Sequence, residues 1–159
     1  MSAGRAWQVR PARATDLPAI EGLLISADGD REVLHQDQFV VSVDIDGVVV
    51  GCGRLRPYSD FCELASLAVG SQVRARGMGR EIVNGLLERY SGPIYLICED
   101  GVVDFFRRFG FVSILDREMP EGLRAKWDYF ADLAGPMNLM LRRENLPAVR
   151  CPDDPGSVG

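Results

Sequence analysis

Histidine is nearly absent from this chain of 159 residues. His35 is the only one, and the four cysteines, Cys52, Cys62, Cys98 and Cys151, show no C-x-x-C spacing. A structural zinc site draws on several such ligands in close pairs, so no metal site is expected. Long apolar runs are missing as well. No stretch reaches the ~18 residues that a membrane helix needs, and MSAGRAWQVR (1–10) lacks the apolar core of a signal peptide. Excess positive charge is also missing: 18 Lys and Arg stand against 23 Asp and Glu, a formal net charge of −5. This argues against nucleic acid as a partner, and an anionic ligand would have to be attracted by local charge. Apolar residues make up 47% of the chain, which supports a soluble globular core. Cys52, Cys62 and Cys98 fall in strand-like runs and are expected to be reduced core residues of a cytoplasmic protein.

What is present starts with a strand, a turn and a helix. CELASLAV (62–69) is an apolar run, VRARGMGR (73–80) follows it, and GREIVNGLLERY (79–90) is amphipathic. The first N–H groups of a helix lack intrahelical partners and sit at the positive end of its dipole, so they cradle phosphate. Gly77 and Gly79 have no Cβ and let a pyrophosphate approach the backbone. Arg74, Arg76 and Arg80 add forked donors. The segment is not a Walker loop, because no Gly-Lys-Ser/Thr follows. Nor is it the dinucleotide fingerprint, because Ile82 stands where the third glycine would be. By itself it also fits a solvated arginine turn that starts a helix.

Further along, DFFRRFGFVSIL (104–115) reads as an aromatic helix ended by Gly110, with Phe111 leading into an apolar strand. Arg74-x-x-Gly77-x-Gly79 after a strand, then a second strand and a helix ending in Phe105-x-x-x-Phe109-Gly110-Phe111, resembles the GNAT superfamily of acetyl-CoA-dependent N-acetyltransferases. VRPARATDLPAIEGLL (9–24) looks like its first strand and helix, and FVVSVDIDGVVVGCGRL (39–55) like its second and third strands. The resemblance covers 7–143. It implies an α/β fold with a mixed, mostly antiparallel sheet of six to seven strands and flanking helices. A single domain is expected over 1–143, and the Pro-, Gly- and Asp-rich segment 144–159 is expected to be a mobile tail.

Local patterns place the elements. Strands are expected at 7–10, 39–44, 48–58, 62–69, 94–98, 111–115 and 138–143. Asp46-Gly47 predicts a hairpin turn. Thr15 is the expected N-cap of a helix that carries Asp16 and Pro18 in its first turn and ends near Ser26. Residues 27–38 read as a loop or a short second helix. A phosphate turn and the helix after it are expected over 74–90, and helices over 102–109 and 119–134, the last with Leu123, Trp127, Phe130 and Ala134 on one face.

The resemblance also implies a site. Acetyl-CoA would be the co-substrate, its pyrophosphate on Arg74, Ala75, Arg76, Gly77, Met78, Gly79 and Arg80. Its pantetheine arm would pair like an added strand with Leu67, Ala68 and Val69, where a backbone N–H polarises the acetyl carbonyl. Glu63, fourteen residues before Gly77, has the spacing of the family's base and can take the amine proton directly or through water. Its other readings are a solvent-facing strand residue or an anchor for the substrate ammonium. Phe106 would border the coenzyme where family members often carry a tyrosine that protonates the leaving thiolate, and phenylalanine has no proton to give. Tyr58 and Tyr95 are the other hydroxyls considered, and nothing in the sequence brings either to the sulfur. The asparagine often found after the fifth strand is replaced by Glu99-Asp100-Gly101. Cys98 ends the strand IYLIC near the expected thiol position, with no histidine base nearby in sequence.

Phe105-Phe106, EMPEGLRAKWDYF (118–130) and NLMLRR (138–143) resemble the branch that includes amino-acid N-acetyltransferases. That implies a small-molecule primary amine as acceptor, an amino acid or a mimic of one. Arg54, Arg56 and Lys126 are then candidate carboxylate partners, and His35 could line the mouth. Two other functions stay open: a protein lysine or N-terminal acetyltransferase, and an acetyl-CoA-binding sensor module with little catalysis. The chain is expected to be a monomer or a homodimer.

Overall fold

Strand alternation in FVVSVD and a glycine-closed turn set up the first sheet. The computed structural model describes residues 7–27, 33–70 and 77–143. They form seven strands and four α-helices in two units, Met1–Tyr90 and Ser91–Gly159. In the first unit, β1 (Trp7–Pro11), β2 (Phe39–Asp44), β3 (Val49–Pro57) and β4 (Cys62–Val69) lie side by side in chain order, each antiparallel to the next. The turn predicted between β2 and β3 is present. Gly47 has φ +82°, in the left-handed region that favours glycine, and its N–H donates to the Asp44 carbonyl at 3.0 Å.

The helix α1 (Leu17–Ser26) covers one face of this sheet and α2 (Met78–Leu87) the other. Ile20 and Leu24 of α1 pack with Phe39, Val41, Cys52 and Ala68. On the other face α2 buries Met78, Ile82, Val83 and Leu86. Glycines on β3 let α2 come close: a Cβ on Gly53 would stand 2.6 Å from Ile82 Cγ2 and 2.9 Å from Leu86 Cδ1. Ile82 is β-branched and stiff at χ1, so its Cγ2 cannot swing aside. Gly53→Ala is therefore expected to destabilise the chain by ~1–3 kcal/mol, the cost of overpacking a filled core. Urea unfolding measures this; an unchanged midpoint would mean that α2 shifts freely.

The start of α1 differs from expectation. Thr15 lies in a 3₁₀ turn, Ala14–Asp16, and Asp16 takes the N-cap position. Asp16 accepts from both Arg10 guanidinium nitrogens, at 2.7 and 3.1 Å, and from the Arg13 N–H at 2.7 Å. The Arg10 hydrogen bonds hold its carboxyl below the usual range.

In the second unit the strands are β5 (Ile94–Cys98), β6 (Val112–Ser113) and β7 (Asn138–Arg142). They are ordered β5-β7-β6, and both pairings are antiparallel. The strand expected over 111–115 is shortened to β6. The chain leaves it into a 3₁₀ turn at Asp116–Glu118, where the Glu118 carboxylate accepts from the Leu115 N–H at 3.0 Å. The expected helices 102–109 and 119–134 each open with a 3₁₀ turn, leaving α3 (Val103–Arg107) and α4 (Arg124–Ala134). Gly110 has φ +89°, as its place after the aromatic helix requires. Arg142 is fully buried, and its Nε donates to the Phe109 carbonyl at 2.9 Å. No helix among the described residues is long and apolar enough to cross a membrane.

Candidate active site

An irregularity between β3 and β4 decides which side chains share a face. Opposite Arg54 stands Ser66, but opposite Leu55 stands Leu64, so Ala65 is an extra residue on β4. Side chains alternate along a strand, and Glu63 and Ser66, three apart, would ordinarily point to opposite faces. The bulge cancels that alternation. Arg56 faces Glu63 directly across the strands, and Arg54 and Arg56 lie on the same side as Cys52. One face of the β3–β4 pair, the one α1 covers further along, thus carries Arg54, Arg56, Glu63 and Ser66.

Glu63 is only 1% exposed, which sets aside its reading as a solvent-facing residue. Tyr58 donates its hydroxyl to Glu63 Oε1 at 3.0 Å. That hydroxyl is not an idle candidate acid; it belongs to the carboxylate. The Tyr58 ring stacks on Phe61 with centroids 4.4 Å apart, and the Arg56 guanidinium lies 5.8 Å from its centre. The hairpin is closed by the Tyr58 N–H donating to the Phe61 carbonyl at 2.8 Å. The sequence reasoning missed the Tyr58–Glu63 pair. Its available signal was two polar residues on either side of a short turn.

Of the candidate carboxylate partners, Arg54 is fully buried and turned toward its own chain. Its Nε donates to Gln38 Oε1 at 2.8 Å and its Nη2 to the Val33 carbonyl at 2.6 Å. Arg56 is half-buried beside Glu63, and Lys126 is half-buried on α4 of the second unit. His35 is exposed, and its Nδ1 accepts from the Asp37 N–H at 3.2 Å, so it caps the 3₁₀ turn Gln36–Gln38.

On the coenzyme side, Gly77 is the N-cap of α2 with φ +81°. The first helical bond there runs from the Glu81 N–H to the Gly77 carbonyl, at 3.2 Å. The N–H groups of Met78, Gly79 and Arg80 lie ahead of it, in the turn whose donors have no intrahelical acceptor. A glycine in this conformation before such a turn fits a pyrophosphate. Arg74, Ala75 and Arg76 lie outside the described residues. Leu67, Ala68 and Val69 form the end of β4, opposite Gly53, Cys52 and Gly51; Ala68 is buried and its neighbours are half-buried.

In the second unit, Phe106 is 6% exposed and packs edge-on against Phe105 and Phe111, at 5.1 and 5.9 Å. Burial, with Asp100 and Glu99 nearby, pushes the Cys98 thiol up to about 11, so it is protonated and poorly nucleophilic near neutral pH. The sequence lacks the expected asparagine after β5, yet Asn138 of β7 reaches that point. Its amide donates to the Cys98 carbonyl at 3.3 Å and to Asp100 Oδ1 at 2.7 Å.

Comparison with known proteins agrees with this fold. A model of the acetyltransferase (GNAT) family matches residues 6–111. An amino-acid acetyltransferase of Mycobacterium tuberculosis is 31% identical over 122 residues, 67% of this chain and 68% of that one. N-acetylglutamate synthase from Neisseria gonorrhoeae, solved with coenzyme A and N-acetyl-glutamate, matches with a TM-score of 0.70 and 25% identity. The match covers 87% of this chain but only 35% of the synthase, so the chain spans about a third of that enzyme. A Mycobacterium tuberculosis protein in complex with CoA and NLQ gives a TM-score of 0.65 at 25% identity, over 86% of this chain and 98% of that one. With its GNAT α/β fold and acetyl-CoA as co-substrate, the chain belongs to the GNAT family of acetyltransferases.

Proposed function

We propose that the chain acetylates the α-amine of a small amino acid or amino-acid mimic, with Glu63 taking the amine proton. One observation carries this reading: the buried Glu63 and the half-buried Arg56 stand opposite each other in the register of β3 and β4. A free α-amino acid presents the complementary pair, an ammonium and a carboxylate. The relatives named amino-acid acetyltransferase and N-acetylglutamate synthase support the same substrate class. When bound, acetyl-CoA supplies an activated acyl thioester. Glu63 removes the proton that keeps the amine from attacking, Tyr58 fixes the rotamer of Glu63, and Arg56 orients the acceptor. The pyrophosphate rests on 74–80.

The reading is tested by thiol release from acetyl-CoA with L-glutamate, L-glutamine, other α-amino acids, their methyl esters and a lysine-bearing peptide. Free amino acids are expected to be turned over, and esters, which give Arg56 no carboxylate, much less well. Peptide as the preferred acceptor would replace this reading with protein acetylation.

Phe106 favours a second reading, a coenzyme-binding sensor module, because it has no proton for a thiolate. A free thiol has a pKa of ~8.5, however, so a thiolate can leave without a fixed acid. Phe106→Tyr is accordingly expected to change turnover by roughly tenfold or less, ~1.4 kcal/mol in the barrier. A far larger gain, or tight coenzyme binding with no transfer to any amine, would favour the sensor.

A further inference from the structure

We propose that Arg54 is a positioning residue that fixes the segment 33–38 as a wall of the amine-acceptor site. The inference rests on the reading of Glu63's face as that site. An arginine in the middle of a sheet is costly to bury unless its donors are used. Arg54 is 0% exposed, and one of its two neighbours on the same face of β3 is Cys52, part of an apolar core. Its donors reach a distant stretch of chain. Nε binds the side chain of Gln38, Nη2 binds the carbonyl of Val33, and the guanidinium lies 5.5 Å from the centre of the Phe39 ring.

A second observation concerns Val33 itself. It has φ +48°, in the left-handed region, where a β-branched residue is a true outlier. Its side chain is 73% exposed, so packing does not impose the conformation. The hydrogen bond from Arg54 lands on this residue's own carbonyl. Backbone held in such a region persists only where its surroundings over-determine it, and these places concentrate at ligand clamps and active sites. The far end of the segment is pinned too: Arg89, just after α2, donates to the carbonyls of Asp37 and Phe39.

The location gives the clamp its role. Arg54 and Arg56 are two residues apart on one face of β3, about 7 Å along the strand, and Glu63 stands opposite Arg56. The segment held by Arg54 therefore borders the face that carries Glu63. Fixing it sets the room available to the acceptor's side chain without touching the proton transfer.

Two variants and two measurements test this. Arg54→Met keeps an unbranched side chain and removes the donors. Gln38→Leu removes the Nε acceptor and leaves the arginine in place, which carries the test if Arg54→Met does not fold. Amide hydrogen exchange on the full chain is expected to quicken by roughly tenfold or more over 33–38, the equivalent of about one lost hydrogen bond, with α2 unchanged. Unchanged exchange in a folded variant overturns the clamp. Steady-state kinetics with L-glutamate and L-glutamine should show KM for the amine raised roughly tenfold, kcat within about threefold, and coenzyme affinity retained. Faster exchange with an unaltered KM, or a fall in kcat alone, overturns the assignment of the segment as an acceptor wall. If the native chain binds acetyl-CoA but acetylates no amine, the acceptor reading and its wall both fall. Hydrogen exchange then still decides whether Arg54 holds the segment.

Discussion

Glu63→Gln is expected to lower turnover ~10²–10⁴-fold, the usual contribution of a general base, while acetyl-CoA still binds. The substitution is close to isosteric and keeps an oxygen that can accept from Tyr58, which now donates to Glu63 Oε1 at 3.0 Å. It removes only the charge and the capacity to take a proton. Because Glu63 is buried, a change in size would disturb the packing as well. Glu63→Ala would confuse a cavity with lost catalysis. The decisive measurement is kcat with a saturating amine, together with calorimetric titration of coenzyme. A fall in kcat with unchanged coenzyme affinity identifies the base. A rise in KM for the amine with kcat retained identifies an ammonium anchor instead. Near-normal kinetics would mean that the carboxylate only organises the β3–β4 hairpin.

Gly77→Val is expected to abolish measurable coenzyme binding, for two separable reasons. At φ +81° a β-branched residue is strained, so the turn would rearrange. In addition, a side chain would stand where the phosphate approaches the backbone. A Cβ on Gly77 meets only Arg80 Nη2, at 3.8 Å, so crowding within the chain itself is not the obstacle. Gly77→Asn separates the two causes, since asparagine tolerates the left-handed region but still carries a side chain. Lost affinity in both variants places the pyrophosphate at this turn. Retained affinity in Gly77→Asn alone points to the backbone as the requirement. Retained affinity in Gly77→Val would remove this turn from the coenzyme site.

Much of the fold was legible before any coordinates. An alternating β-branched run marked β2 and an apolar run marked β4, both at their observed bounds, and Gly47 and Gly110 marked two chain reversals. Boundaries were less legible where short-range polar competition set them. Thr15 was drawn into a 3₁₀ turn whose last residue, Asp16, pairs with Arg10 of a neighbouring strand, and Glu118 drew the chain out of β6. The motif glycines and the spacing from Glu63 to Gly77 pointed to the family and the candidate base, because those requirements are local in sequence.

The composition of Glu63's face was not local. Regular alternation puts Glu63 and Ser66 on opposite faces, and only the pairing of β4 with β3 shows the extra residue that brings them together. Arg54 read as a possible substrate contact, since an arginine's sequence neighbours do not show whether its donors meet a ligand or a carbonyl more than twenty residues away. Tyr58 read as an unassigned hydroxyl until the hairpin turned it onto Glu63. Periodicity and turn chemistry report how each short segment satisfies its own backbone, so the sequence by itself determined the strands, the glycine turns and the family. Strand register and burial join residues that are distant in the chain, so only the tertiary structure decided which charges are buried, which stand opposite each other in the strand register and which bind a distant carbonyl.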